Sequence, residues 1–166
     1  MDEVDRSLLA ILQQDATLSI AQTAERVGLS PTPCWKRIQK LEATGVITRR
    51  VAVVDPDRVG VGLSVLVSIE AGEHTPQWLE RFSLAVGALP EVMEAYRTAG
   101  EVDYMLRVAV ADMAEYDAFY KRLIAIAPMK NVTSRFAMER LKHTTAYPLH
   151  PGAFRDRRAV DRAADE

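Results

Sequence analysis

Apolar residues recur along this chain at two different periods, and the change from one to the other falls near residue 46. Leu8, Ile11 and Leu12, with Val4 one turn earlier, stand at helical spacing. They predict a helix over residues 4–14 with Asp2 and Asp5 at its electropositive start. Ser19 with Gln22 three residues on forms a capping box, so a second helix runs to about Arg26. Gly28 turns the chain and small Ala24 permits a close helix crossing. Ser30 is placed as a cap, and Pro31 fits a first helical turn that does not need its N–H. In the helix that follows, Cys34, Ile38 and Leu41 make the buried stripe, Thr32, Pro33, Lys36, Arg37 and Lys40 point elsewhere, and Gly45 ends it.

Beyond this point the pattern alternates. Val46 to Val54 is β-branched and predicts a strand, broken by Asp55-Pro56-Asp57. Val59 to Gly62 reads as a hinge; it starts like a dinucleotide-binding glycine pattern, but Val65 and the absence of a following helix exclude that. Leu63, Val65, Val67 and Ile69 predict a strand with one buried face, and Thr75-Pro76 opens a helix that turns Trp78, Leu79, Phe82, Val86 and Leu89 inward. Two strands follow, Val92 to Thr98 and Tyr104 to Val110. Asp112 with Glu115 reads as another capping box, for a helix lined by Tyr116, Phe119, Tyr120, Leu123 and Ala127. A fourth strand is expected over residues 132–141 and a short fifth over 144–149.

The order βαββαβ predicts an antiparallel sheet covered on one side by both helices, a ferredoxin-like sandwich. The fold class is therefore α+β: a winged-type helix-turn-helix followed by that sandwich. The expected division is 1–50 for the helical domain, 51–62 for strand and hinge, 63–150 for the sandwich, and 151–166 for a disordered or frayed tail with almost no large apolar groups. Met93, Ala95, Met105, Ala109 and Ala137 are expected on the uncovered sheet face, where apolar residues suit a dimer packed sheet against sheet.

Charge sharpens the picture of the first domain. The whole chain is at −2, yet residues 32–50 carry five cations against Glu42 alone, a local excess of four that leaves the remainder at −6. A basic island on an acidic chain is the footprint of localised phosphate contact. The third helix, basic on its outer side and preceded by a glycine-turned helix, fits insertion into the DNA major groove, with Arg37 positioned to read guanine. For Arg49 and Arg50 two readings stand level: protection of a strand edge, or contact with the DNA backbone.

Other chemistry is thin. One cysteine, Cys34, forms no internal disulfide and reads as a small packed hydrophobe; Trp35 reads as packing against the first helix or first strand. His74, His143 and His150 have no zinc-ligand spacing, so neither metal nor cofactor is expected. There is no nucleophile constellation or phosphate loop, which leaves catalysis without a candidate. No apolar run reaches the roughly 18 residues of a membrane span, and the acidic start is unlike a secretory signal, which predicts a cytoplasmic protein.

Two motifs in the expected order resemble one family. Val27 to Cys34, with Arg37, Ile38, Leu41, Glu42 and Gly45-Val46-Ile47, is similar to the recognition-helix signature of the leucine-responsive regulatory protein/AsnC (feast/famine) transcription regulators. Gly100 to Leu106, with Asp112-Met113 and Tyr116, resembles a second motif of that family, which often has Asp where this chain has Glu101. The resemblance covers residues 2–150 and implies that the sandwich is a regulator-of-amino-acid-metabolism domain. It further implies assembly of dimers toward an octamer, and an effector, usually an amino acid, bound between dimers. By motif position the effector residues are Gly100, Val102, Asp103 and Tyr104, joined by Thr133 and Ser134 of a neighbouring chain. The DNA-contacting set is Ser30, Thr32, Pro33, Lys36, Arg37, Lys40, Arg49 and Arg50. The leading expectation is a homo-oligomeric regulator of double-stranded operator DNA that responds to an amino acid or related metabolite. An architectural DNA-binding protein without effector, and a metabolite-binding module or enzyme, stand as alternatives.

Overall fold

Both helix boundaries around the first turn are set by hydrogen bonds that the sequence supplies locally, and they are seen in a computed structural model that describes residues 1–149. The tail expected over 151–166 lies outside the described residues. Helix α1 (Glu3–Gln14) opens on a reciprocal box: Asp5 N–H donates to the Asp2 carboxylate at 2.8 Å and Asp2 N–H to the Asp5 carboxylate at 3.1 Å. Helix α2 (Ile20–Arg26) opens on the equivalent Ser19–Gln22 pair. It closes on Gly28 at φ 68°, with Leu29 N–H donating to Ala24 C=O at 2.9 Å and Gly28 N–H to Glu25 C=O at 3.3 Å. Helix α3 (Pro31–Ala43) closes in the same way on Gly45 at φ 73°, through Val46 to Leu41 and Gly45 to Glu42.

The start of α3 departs from expectation. Ser30 occupies the cap position, but its hydroxyl makes no capping bond. A cap hydroxyl accepts from the second or third helical amide, and here the third residue is Pro33, which has no N–H. Leu8, Ala24, Cys34 and Ile38 form the buried centre of this helical unit, and Val4, Leu12, Ile20, Val27, Leu29 and Ile47 pack around it.

The predicted strand over Val46 to Val54 does not form. Only Ile47 reaches the helical core, while Val51, Val53 and Val54 are exposed, and no strand among the described residues pairs with them. A β-branched run becomes a strand only where a neighbour completes its ladder. The hinge is a turn over Asp55 to Val61, with Gly60 at φ 79°.

The chain divides into two units, Met1–Ala52 together with the stretch from Lys142, and Val53–Leu141. The stretch from Lys142 joins the first because Tyr147 N–H donates to the Gln13 side-chain carbonyl at 2.7 Å and Gln13 Nε2 donates back to Tyr147 C=O at 3.3 Å. That pairing takes the place of the predicted fifth strand, and residues 144–149 are irregular.

The second unit holds β1 (Leu63–Ala71), α4 (Pro76–Gly87), β2 (Val92–Arg97), β3 (Tyr104–Val110), α5 (Met113–Ile124) and β4 (Met129–Phe136). The sheet order is β2-β3-β1-β4, antiparallel throughout, the expected ferredoxin-like sandwich. Val65, Val67 and Ile69 of β1 and Leu106, Val108 and Val110 of β3 meet Trp78, Phe82 and Val86 of α4 and Phe119 and Leu123 of α5. At the start of α5 the Asp112 carboxylate accepts from the Ala114 and Glu115 amides, both at 2.9 Å, but Glu115 turns to the Ala111 amide, so the box is not reciprocal. Strand β4 begins earlier than expected and ends at Phe136. Ala137 still donates to Ser64 C=O at 2.9 Å, after which β1 has no further partner to offer.

A bulge between Val92 and Glu94 changes which side chains share a face. It sets Ala95 opposite Leu106, on the helix-covered side, and places Glu94 and Tyr96 opposite Arg107 and Met105 on the uncovered one. The uncovered face carries exposed Leu66, Tyr96 and Met105 beside the Arg107–Glu94 ion pair (2.7 Å) and the Arg135–Ser68 bond (2.8 Å). It is less apolar than the sequence predicted, and Ala95 is not part of it.

Gly28 carries a left-handed conformation with nothing within 4 Å of where a Cβ would stand, so its substitution tests backbone conformation alone. Gly28→Ala should destabilise the helical unit by about 1–2 kcal/mol, and Gly28→Asn by less. Urea unfolding followed by helical circular dichroism measures both.

Candidate DNA-reading surface and effector loop

Helix α3 turns about 100° per residue, so a stripe made by Cys34, Ile38 and Leu41 sets Thr32, Lys36 and Ala43 roughly opposite it. Thr32, Pro33, Lys36 and Lys40 are exposed, as is Ser30 just before the helix. Making no capping bond, the exposed Ser30 hydroxyl is open to an outside acceptor or donor. Arg49 is exposed, and Arg50 Nη2 is held by Glu42 at 2.8 Å.

Arg37 sits differently from its neighbours. Its Nη1 donates to Asp2 at 2.6 Å and to Asp5 at 2.7 Å, both on the first turn of α1. The Asp5 amide first, and Arg37 second, hold the Asp2 carboxyl below its usual range; Asp2 and Asp5 in turn raise the Arg37 guanidinium. These three residues line a cleft of about 570 Å³ with Met1, Pro33, Lys36 and Lys40. Trp35, expected to pack, is instead 50% exposed on the opposite flank of α3. Cys34 is fully buried, and burial pushes its thiol up, as for a packed side chain rather than a reactive one.

In the second unit the β2–β3 loop is tied at its base. Thr98 N–H donates to Asp103 C=O at 2.8 Å, and Asp103 N–H donates to Ile69 C=O at 2.9 Å. One Asp103 carboxylate oxygen accepts from Ala71 N–H at 2.8 Å; the other lies 3.8 Å from His74 Nδ1. Gly100, at φ 142°, is exposed in the loop, and Val102 is partly buried. Tyr104 belongs to the core: its ring lies 4.6 Å from Phe82 and 5.6 Å from Trp78. Thr133 faces Ser68 on the uncovered face, whereas Ser134, opposite Val67, hydrogen-bonds the Tyr116 hydroxyl beneath the helices. Ser134 opens on a shallow groove of about 320 Å³ shared with Met113, Tyr120 and Phe136.

Within one chain, then, Gly100, Val102 and Asp103 are together, and Tyr104, Thr133 and Ser134 are each elsewhere. The register of β1 with β4 adds a residue that sequence reasoning passed over. Lys130 Nζ lies 2.9 Å from Glu70, whose hydrogen bond raises the Lys130 ammonium, with a further contribution from Asp103. Nothing in the local pattern around Lys130 signals this; only the strand pairing brings it near the loop.

The comparisons with known proteins fall on the same two units. A winged helix-turn-helix DNA-binding model matches residues 1–48, and the Lrp/AsnC ligand binding domain matches residues 64–147. The DNA-binding transcriptional activator DecR of Escherichia coli K12 is 49% identical over 150 residues, covering 90% of this chain and 99% of that protein. This chain belongs to the Lrp/AsnC family. The glutamate uptake regulatory protein of Zymomonas mobilis is 45% identical over 149 residues, covering 90% of this Lrp/AsnC regulator and 91% of that protein. An AsnC family transcriptional regulator from Agrobacterium tumefaciens superposes with a TM-score of 0.87 at 55% identity, over 89% of this chain and 97% of that one. A transcriptional regulator from Neisseria meningitidis, solved in complex with L-Met, gives 0.85 at 30% identity, over 89% and 96%.

The Lrp/AsnC regulator is therefore a DNA-binding transcription regulator with a ligand-binding domain, and its relatives are regulators rather than enzymes. Among the described residues, no helix is long and apolar enough to cross a membrane.

Because Asp2 titrates below its ordinary 3.8 in the folded chain, its contribution to stability is complete above that value and is lost as pH falls through and below it. Asp2→Asn should lower thermal stability slightly in the neutral region and match the wild type as pH falls well below 3.8, which calorimetry across pH measures.

Proposed function

We propose that this regulator acts in the cytoplasm as a homo-oligomer on double-stranded operator DNA, and that an amino acid or related metabolite sets its assembly or DNA affinity. The observation that carries this reading is the pairing, in one chain, of a bare basic helix face with a ligand-binding domain whose loop keeps one carboxylate oxygen of Asp103 uncommitted to backbone. Thr32, Pro33, Lys36 and Lys40 enter the major groove, and Ser30, Arg49 and Arg50 contact phosphates. Two such units in a dimer meet successive grooves about 34 Å apart and favour a near-palindromic site.

The effector chemistry follows from a zwitterion's needs. Its ammonium requires an acceptor, which Asp103 supplies, and its carboxylate requires donors, which the Gly100 loop amides and Lys130 supply. Val102 borders the same loop, and Tyr104 supports it from the core. Thr133, on the uncovered face, completes the site from a neighbouring copy, whereas Ser134, bonded to Tyr116 on the opposite side of β4, joins it only from a further copy. The Neisseria relative's complex with L-Met supports an amino acid as the class. The uncovered sheet face, with Leu66, Tyr96 and Met105 exposed, is the surface for pairing, and pairs assemble further toward an octamer. The effector acts by binding one assembly more tightly than another.

Arg49→Ala and Arg50→Ala should each weaken DNA binding and reduce the slope of log affinity against log salt by about 1. Fluorescence anisotropy on duplex DNA measures this, and an unchanged slope for both would remove them from the interface. Asp103→Asn keeps the acceptor for Ala71 N–H but loses the charge. It should abolish any amino-acid-dependent thermal shift while DNA binding persists. A wild-type chain showing no shift with any of the common amino acids would favour an architectural role without effector.

A further inference from the structure

We infer that Arg37 is a positioning residue, a latch that fixes the rotation of the recognition helix against helix α1, and that it does not read bases. The angle around α3 points this way first. At about 100° per residue, Arg37 stands about 60° to one side of the buried stripe, toward α1, while Lys36 stands nearly opposite that stripe. Its guanidinium is engaged by both Asp2 and Asp5 through Nη1. Those two acids are themselves immobilised, because each accepts the other's amide in the box that opens α1. They also occupy the positive end of that helix, where carboxylates are favoured. The three side chains thus join the first turn of α1 to the middle of α3, beside the hydrophobic contact of Leu8 with Cys34 and Ile38.

Swinging Arg37 into a groove would leave the Asp5 carboxylate, only 12% exposed, without its cation. It would also turn two unpaired acids toward DNA phosphates. Held in place, the guanidinium neutralises part of that charge and keeps Pro33, Lys36 and Lys40, which line the same cleft, at one orientation. The latch and the reader are adjacent residues, about 100° apart around the helix.

The sign of an acid-to-amide change separates this from the alternatives. In simple electrostatic terms, removing a carboxylate from a DNA-binding cleft tightens binding; in a latch it loosens binding. The probe is a duplex selected from a random-sequence library by the wild-type full-length chain. Asp2 is more than half exposed at its side chain, so Asp2→Asn does not threaten folding. It should weaken binding by about two- to fivefold, the range of an exposed ion pair. Asp5→Asn and Arg37→Gln should each weaken it by about tenfold, and the double variant should lose no more than either alone, since both remove one interaction. Arg37→Lys should restore part of the loss, and Arg37→Gln should keep the wild-type ranking of single-base-pair operator variants. Tighter or unchanged binding by Asp2→Asn overturns the latch and marks the ion pair as inhibitory or incidental. Selective loss of preference at one base pair in Arg37→Gln overturns it in favour of base reading.

Discussion

Helix α3 has to satisfy two surroundings at once, an apolar interior on one side and an exposed basic surface on the other, and the first unit is built around that demand. A stripe of three buried residues holds the helix down, but a stripe of that width leaves rotation about the helix axis weakly determined. The flanking contacts supply what the stripe lacks. Ion pairs run from Arg37 to α1 on one side and from Glu42 to Arg50 at the end of the helix. The glycine-turned closures at Gly28 and Gly45 fix where α3 begins and stops. Two prolines in the first turn remove amides that would otherwise need partners, and so leave that end of the helix with few obligations of its own.

The second unit solves a different problem. Its two central strands, β1 and β3, are packed under both helices, and the rest of the sandwich hangs on their alternation. Because successive side chains of a strand face opposite ways, Thr133 and Ser134 cannot serve one side of β4 together. A ligand site that uses both, along with the Gly100 loop, requires more than one copy of the chain. In such an arrangement ligand binding and assembly share contacts, which is the physical basis for coupling them.

Much of this was legible without coordinates. Capping pairs at Ser19–Gln22, the turn glycines, and the alternation from Leu63 to Ile69 are rules of local hydrogen bonding and period, and they hold wherever the neighbouring residues alone decide the outcome. They were sufficient for the order of the helices and sandwich strands and for the helix-turn-helix. Where reading failed, a distant partner was involved. Val46 to Val54 has the composition of a strand and no strand to pair with, and Thr144 to Leu149 spends its backbone amide on Gln13 instead of a ladder.

The sequence by itself determined where the helices, the turn glycines and the sandwich strands lie, since helix caps, turns and buried stripes depend on residues within a few positions of one another. Tertiary structure alone decided what each functional side chain faces. The bulge after Val92 exchanged Ala95 for Tyr96 on the open sheet face, strand register brought Lys130 toward Asp103, and the crossing of α1 on α3 set Arg37 against a pair of acids. Each of these outcomes depends on where a second element lies in space, a quantity that spacing along one element does not encode.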